Sequence, residues 1–252
     1  MKSAVYEGGG APTQRDPLLD ALRGFALLHM IAYHAVWDLV NLRGMKLSWF
    51  EGTPGFLWQQ MICWSFILLS GFCWNLGRCP VRRGIVLFTA GLAVTAATEF
   101  VLPEAPIWWG ILTFLGAASA VTVLLHPLLR RCPPWMGLGA SGGLFFLLRH
   151  VENGLVAGRD VMPRWLYQGH LGAFWGFPAP EFTSTDYFPI LPWIFLYESG
   201  YFLFFIRRRQ ARPHALSRAV PVLGWMGRRS LWIYLLHQPL LFGALLAAGQ
   251  LG

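Results

Sequence analysis

Apolar residues run almost unbroken over 18 to 41, 55 to 77, 84 to 102, 106 to 129, 135 to 149, 187 to 206 and 230 to 249, and charged residues and prolines gather in the gaps. A helix needs about 20 apolar residues to cross a hydrocarbon core. The pattern therefore predicts an all-α, polytopic transmembrane helix bundle of about seven spans, within a range of six to eight. The run over 135 to 149 is short and holds Gly137, Gly139, Gly142 and Gly143, which predicts a helix that is tilted, re-entrant or only partly inserted. The rest is read as a disordered cytoplasmic tail over 1–14 and a single transmembrane domain over 15–252. Within that domain an outer connection, 150–186, is rich in aromatics and proline and reads equally as an interfacial lid or a plain anchored loop.

Composition closes off the other classes. Of 252 residues, 55% are hydrophobic and only 13% charged, about half the charged share of soluble domains, and such apolarity excludes disorder of the whole chain. The net charge of +8 raises nucleic acid as a partner, but the basic residues lie between the apolar runs. With the N-terminus, the 78–83 loop, Arg130, Arg131 and the stretch from Arg207 to Arg229 on one side, that side collects fourteen Lys and Arg, against five opposite. The positive-inside rule makes the N-terminus cytoplasmic and the C-terminus periplasmic or extracellular, so the charge records topology. Cys63, Cys73, Cys79 and Cys132 form no paired motif. The first apolar run is long enough to act as an uncleaved anchor.

Ionisable groups inside a span are costly and point to function. At 100° per residue Asp20, Arg23, His34, Asp38 and Asn41 fall within a sector of about 60° on the first helix, while His29 points about 120° away from Arg23. Arg23 and His34 are separated by about 16 Å of rise. This places Arg23 near the cytoplasmic boundary and His34 near mid-membrane, with Asp38 one turn further on to orient its imidazole. Glu198 and His237 fall at similar depth in the sixth and seventh spans, so the three groups are expected in one layer. Tyr234 shares a face with His237 and reads first as an aromatic packing residue. The run Gly137-Leu138-Gly139-Ala140-Ser141-Gly142 fits GxGxxG by letter, but no strand precedes it, and small residues for close helix approach are the better reading. No ligand spacing for a metal is present.

Four segments carry a family likeness. LLDALRGFALLHMIAYHAVWDL, FILLSGFCWNLG, DYFPILPWIFLYESGYFLFF and GRRSLWIYLLHQPLL resemble, in order, blocks of bacterial membrane proteins grouped with the heparan-alpha-glucosaminide N-acetyltransferase catalytic domain. The arginine and histidine at Arg23 and His34 also resemble the signature of the membrane acyltransferase-three group. The resemblance implies a bacterial inner-membrane enzyme that passes an acetyl group from cytoplasmic acetyl-CoA to an amine or hydroxyl of an envelope glycan or glycolipid, with His34 central. On that view Arg23, Arg228 and Arg229 hold the phosphates of CoA, His34 is the base or carries the acetyl group, and Asp38 orients it. His237 or Tyr234 stabilises the oxyanion, and Glu198 and Asp186 play supporting parts. The alternative is a carrier for a proton, an anion or a lipid-linked sugar that uses the same intramembrane groups. The acceptor's identity and the oligomeric state, a homodimer included, stay open.

Overall fold

The protein is described by a computed structural model that covers residues 16–209 and 221–249. The tail expected over 1–14 lies outside these residues, as does part of the basic stretch ahead of the last span.

The first helix, α1 (Pro17–Asn41), begins where its sequence directs. Asp16 accepts from the Leu18 amide at 2.9 Å and Pro17 takes the first position. A single turn, α2 (Ser48–Glu51), leads into α3 (Thr53–Trp74). Next come α4 (Pro80–Val101), α5 (Ile111–Leu129) and α6 (Pro134–Leu147). The outer connection contains a two-residue antiparallel hairpin, β1 (Leu155–Val156) with β2 (Arg159–Asp160), and the short α7 (Gly169–Trp175). The chain returns through α8 (Ile190–Arg209) and ends with α9 (Pro221–Arg228) and α10 (Ser230–Ala247).

Each of the seven apolar runs contains a helix. Among the described residues α3, α4, α5, α8 and α10 are long and apolar enough to cross a membrane. The 25 residues of α1 have the length, but its polar stripe lowers its apolarity. The 14 residues of α6 rise only about 21 Å, short of a core about 30 Å thick, as the glycine-broken run led one to expect.

Helices approach through glycine. A Cβ on Gly71 of α3 would stand 1.9 Å from the Tyr197 carbonyl oxygen of α8, and one on Gly200 of α8 would stand 2.2 Å from that of Leu68. The same interlock joins α1 to α9, where Gly24 meets Leu223 and Gly227 meets Asp20. These two pairings make α9 antiparallel to α1. In the GxGxxG-like run, Gly137 meets the Phe202 ring, whereas Gly139 and Gly142 face open space, so close approach explains one of its three glycines. Ser141 and Ser199 join α6 to α8 at 2.9 Å. The core gathers Ile67, Trp74, Phe114, Phe145, Tyr197 and Tyr201, while Phe100 and Leu124 point outward, 89% and 79% exposed, as lipid-facing side chains do.

Two elements differ from the sequence pattern. The run over 106 to 129 is helical only from Ile111, because residues 102–110 turn back on α4 and the Thr98 hydroxyl accepts from the Ile107 amide at 3.1 Å. Trp109, with φ of 54°, completes the turn in a left-handed conformation that is costly for a bulky side chain. The outer connection then packs on this turn: the Thr185 amide donates to Pro106 and the Phe188 amide to Trp109. The helix α9 had no counterpart among the apolar runs, since its eight residues are too few for a span.

Candidate functional site

The polar stripe of α1 has Asp20 and Asp38 buried, Arg23 and His34 half-buried and Asn41 exposed, and it divides into two sites. At the basic end of the bundle, Arg23 donates to Asp20 at 2.6 Å and to the Cys73 thiol of α3 at 2.8 Å. Arg83, at the fourth residue of α4, donates to the Cys73 carbonyl at 3.2 Å, and its Nη2 is buried without a partner among the described residues. These two arginines, with Arg82 and Arg228, line a cavity of about 690 Å³ between α1, α3, α4, α5 and the α9–α10 junction. Asp16 and Asp20 also line it, so four guanidinium groups face two carboxylates and the region is net positive. Further in, the walls become apolar through Phe66, Leu69, Leu87, Leu115 and Leu231, and Tyr234 stands among them. A charged mouth and an apolar interior suit a ligand with an anionic head and an apolar, reactive tail.

Arg229, expected to share this site, lies outside the cavity lining, with its guanidinium 4.9 Å from the centre of the Trp225 ring. Arg82, Arg83 and Cys73 were not anticipated. The sequence shows the two arginines only as members of a basic stretch, and the fold brings the first turn of α4, which carries them, beside the start of α1.

At the cavity's inner end Tyr234 approaches the Asp186 carboxylate, and both line a small adjoining space with Gly110 and Ile111. Asp186 also accepts from the Ile111 amide at 3.1 Å, so a residue from the outer connection caps α5. This gives the sequence-level candidate Asp186 a definite position. Burial pushes its carboxyl from an ordinary 3.8 up to about 6, against the lowering effect of the Ile111 amide. The folded state then holds more proton than the unfolded state between these values, so stability falls as pH rises through that window and levels off above it. Asp186→Asn keeps an oxygen for the Ile111 amide and removes this proton uptake. The variant's melting temperature is expected to stay level from pH 4 to 7 while the parent's declines, as read by thermal unfolding in detergent. Parallel declines would assign the effect to another group.

The second half of the stripe meets α10. The His34 and His237 rings lie 4.9 Å apart by their centres. Asp38, fully buried, accepts from Gln238 Nε2 at 2.7 Å and makes no ion pair with His34 among the described residues. Its expected role of orienting His34 thus has no direct contact behind it. His237 Nδ1 bonds to the Tyr234 carbonyl, and the two rings lie 5.5 Å apart, so the imidazole pair sits one turn beyond the cavity's inner wall. Glu198 does not join this layer: it turns to α5, where Thr122 donates to it at 2.8 Å. His29 faces α3 and accepts from Trp58 at 3.0 Å. No cluster of three metal-binding side chains occurs among the described residues.

The family model described as heparan-alpha-glucosaminide N-acetyltransferase, catalytic, matches residues 15–239, from the start of α1 to the turn of α10 that holds His237. The chain belongs to this family. No curated protein and no solved structure matches it. Family membership carries transferase activity in a multi-pass membrane protein, and the matched region includes both the arginine-lined cavity and the histidine pair.

Proposed function

We propose that the protein is a membrane acetyltransferase that takes the acetyl group of acetyl-CoA from the basic, cytoplasmic end of the bundle and passes it to an amine or hydroxyl of an envelope glycan or glycolipid in the bacterial inner membrane. The observation that carries this reading is the two-part cavity. Arg23, Arg82, Arg83 and Arg228 meet the phosphates, the apolar walls take the pantetheine arm, and the thioester reaches Tyr234. The Nη2 of Arg83, without a partner among the described residues, fits a phosphate oxygen, because a buried guanidinium N–H needs an acceptor. Tyr234 stands where a hydroxyl can donate to the carbonyl oxygen as charge develops on it. The His34–His237 pair, one turn beyond, supplies the base.

His34→Ala is expected to lower transfer from radiolabelled acetyl-CoA at least about tenfold and to leave acetyl-CoA affinity unchanged, since His34 does not line the cavity. Undiminished transfer would remove His34 from the mechanism. Absence of acetyl-CoA binding by the purified parent would favour a carrier that uses the same buried polar groups.

A further inference from the structure

Three buried polar atoms at the contact between α1 and α10 have no partner among the described residues: Asp38 Oδ2, His237 Nε2 and Gln238 Oε1. Asp38 is fully buried and His237 is 8% exposed. Buried polar atoms are almost always satisfied, so three orphans within one turn of two facing helices indicate a place where a partner arrives. Their chemistry is uniform. Because a carbonyl only accepts, the bond from His237 Nδ1 to the Tyr234 carbonyl fixes the proton on Nδ1 and leaves Nε2 as a bare lone pair. Gln238 spends its Nε2 on Asp38 Oδ1, which leaves a carbonyl oxygen on one side of that bond and a carboxylate oxygen on the other. All three open positions are acceptors, and the missing partner is a donor.

Resting on the acetyl-transfer reading, we infer that this cradle receives the nucleophilic N–H or O–H of the acceptor, with His237 as the base and Asp38 and Gln238 as the groups that hold the nucleophile. His34, the sequence-level candidate for the base, makes no hydrogen bond among the described residues that fixes its tautomer; it packs edge-on against Tyr33 and flanks the His237 ring. A general base needs a fixed tautomer and a free lone pair, and His237 has both. In the reaction the nucleophile's lone pair bonds to the acetyl carbonyl carbon and its proton passes to His237 Nε2. The C–S bond then breaks, and the proton moves from Nε2 to the departing CoA thiolate, so proton and electron pairs balance.

His237→Asn separates base from scaffold, because an asparagine amide reproduces the Nδ1 donor and has nothing at Nε2. The full-length protein in detergent, given radiolabelled acetyl-CoA, is assayed with D-glucosamine as probe amine and methyl glucoside as probe hydroxyl. The expected result is a loss of transfer of about 10²- to 10⁴-fold, unchanged acetyl-CoA affinity, partial recovery on adding imidazole, and a smaller loss for His34→Asn. A second variant, Asp38→Asn, puts a donor where an acceptor stood. It is expected to raise KM for the probe acceptor at least about tenfold and leave KM for acetyl-CoA in place. Parental transfer with His237→Asn undiminished, or with His34→Asn the more damaged of the two, overturns the assignment of the base. An unchanged acceptor KM in Asp38→Asn overturns the cradle. A parent that binds acetyl-CoA poorly and moves no label overturns the acetyl-transfer reading and this inference with it.

Discussion

Arg83→Ala is expected to weaken acetyl-CoA binding roughly 10- to 100-fold, the equivalent of losing a charge-assisted hydrogen bond of about 1.5–3 kcal/mol. Arg83 divides its donors between the fold and the cavity. Its Nη1 bonds to the Cys73 carbonyl, where α3 ends, and its buried Nη2 has no partner among the described residues. The anchored half holds the guanidinium plane in place, so little side-chain entropy is lost when a phosphate oxygen takes the other half. Lysine reproduces the charge without the fork, and Arg83→Lys should recover less than half of the lost binding free energy. Arg78→Ala is the control: Arg78 lies two residues before α4 begins, is exposed and does not line the cavity. Its loss should change affinity less than about twofold, within the range of screened surface charges. Equilibrium binding of labelled acetyl-CoA to the purified variants at two salt concentrations decides between them. Equal losses for Arg78→Ala and Arg83→Ala would mean that only overall charge matters.

Gly71→Val is expected to abolish recovery of folded protein, with a cost at or above the upper end of the roughly 1–3 kcal/mol typical of overpacking. The position that a Cβ would take is 1.9 Å from the Tyr197 carbonyl oxygen, and this obstacle is backbone, which cannot rotate out of the way. Gly200, from the opposite helix, meets Leu68 in the same manner, so α3 and α8 interlock from both sides and must separate along the crossing. Membrane helices associate largely by such close packing, because lipid solvates their apolar side chains as well as a neighbouring helix does. The separation would also shift Cys73, two residues along α3, and with it the anchors of both Arg23 and Arg83. Gly139→Val, where a Cβ meets nothing within 4 Å, should by contrast leave the folded yield close to the parent's. Size-exclusion profiles and thermal unfolding of the two variants measure the difference, and similar behaviour of both would refute the interlock.

Much of the bundle was legible in the sequence because a hydrocarbon core imposes one requirement on any spanning segment: enough apolar length to satisfy the backbone within a helix. The seven runs each contain a helix, and the start of α1 at Asp16–Pro17 follows from the cap. The boundary of α5 was not legible. Pro106 to Trp109 are as apolar as the helix that follows, and they leave it because Asp186, 75 residues away in the chain, caps Ile111. The polar stripe was likewise legible as a face of α1, since 100° per residue fixes which side chains align. Its division between two sites was not, because the identity of the neighbour at each level is a property of the bundle. The lower half meets α3 and α9, the upper half α10. Gln238 carried a signal of its own, an uncharged amide in a spanning helix, which is costly without a partner.

By itself the sequence determined a polytopic helical membrane protein, the end of the bundle that gathers the basic residues, and a first helix whose polar face includes Arg23 and His34. Local hydrophobicity and helical periodicity suffice for that, because both act within a single segment. The tertiary structure decided that Arg82 and Arg83 join Arg23 around one cavity, that Arg229 stays outside it, that Glu198 turns to Thr122, and that Asp38 pairs with Gln238 and not with His34. Such pairings depend on how each helix is rotated about its axis. That rotation is set by the interlocking of Gly24, Gly71, Gly200 and Gly227 with backbone on facing helices, a long-range fit that no single segment encodes.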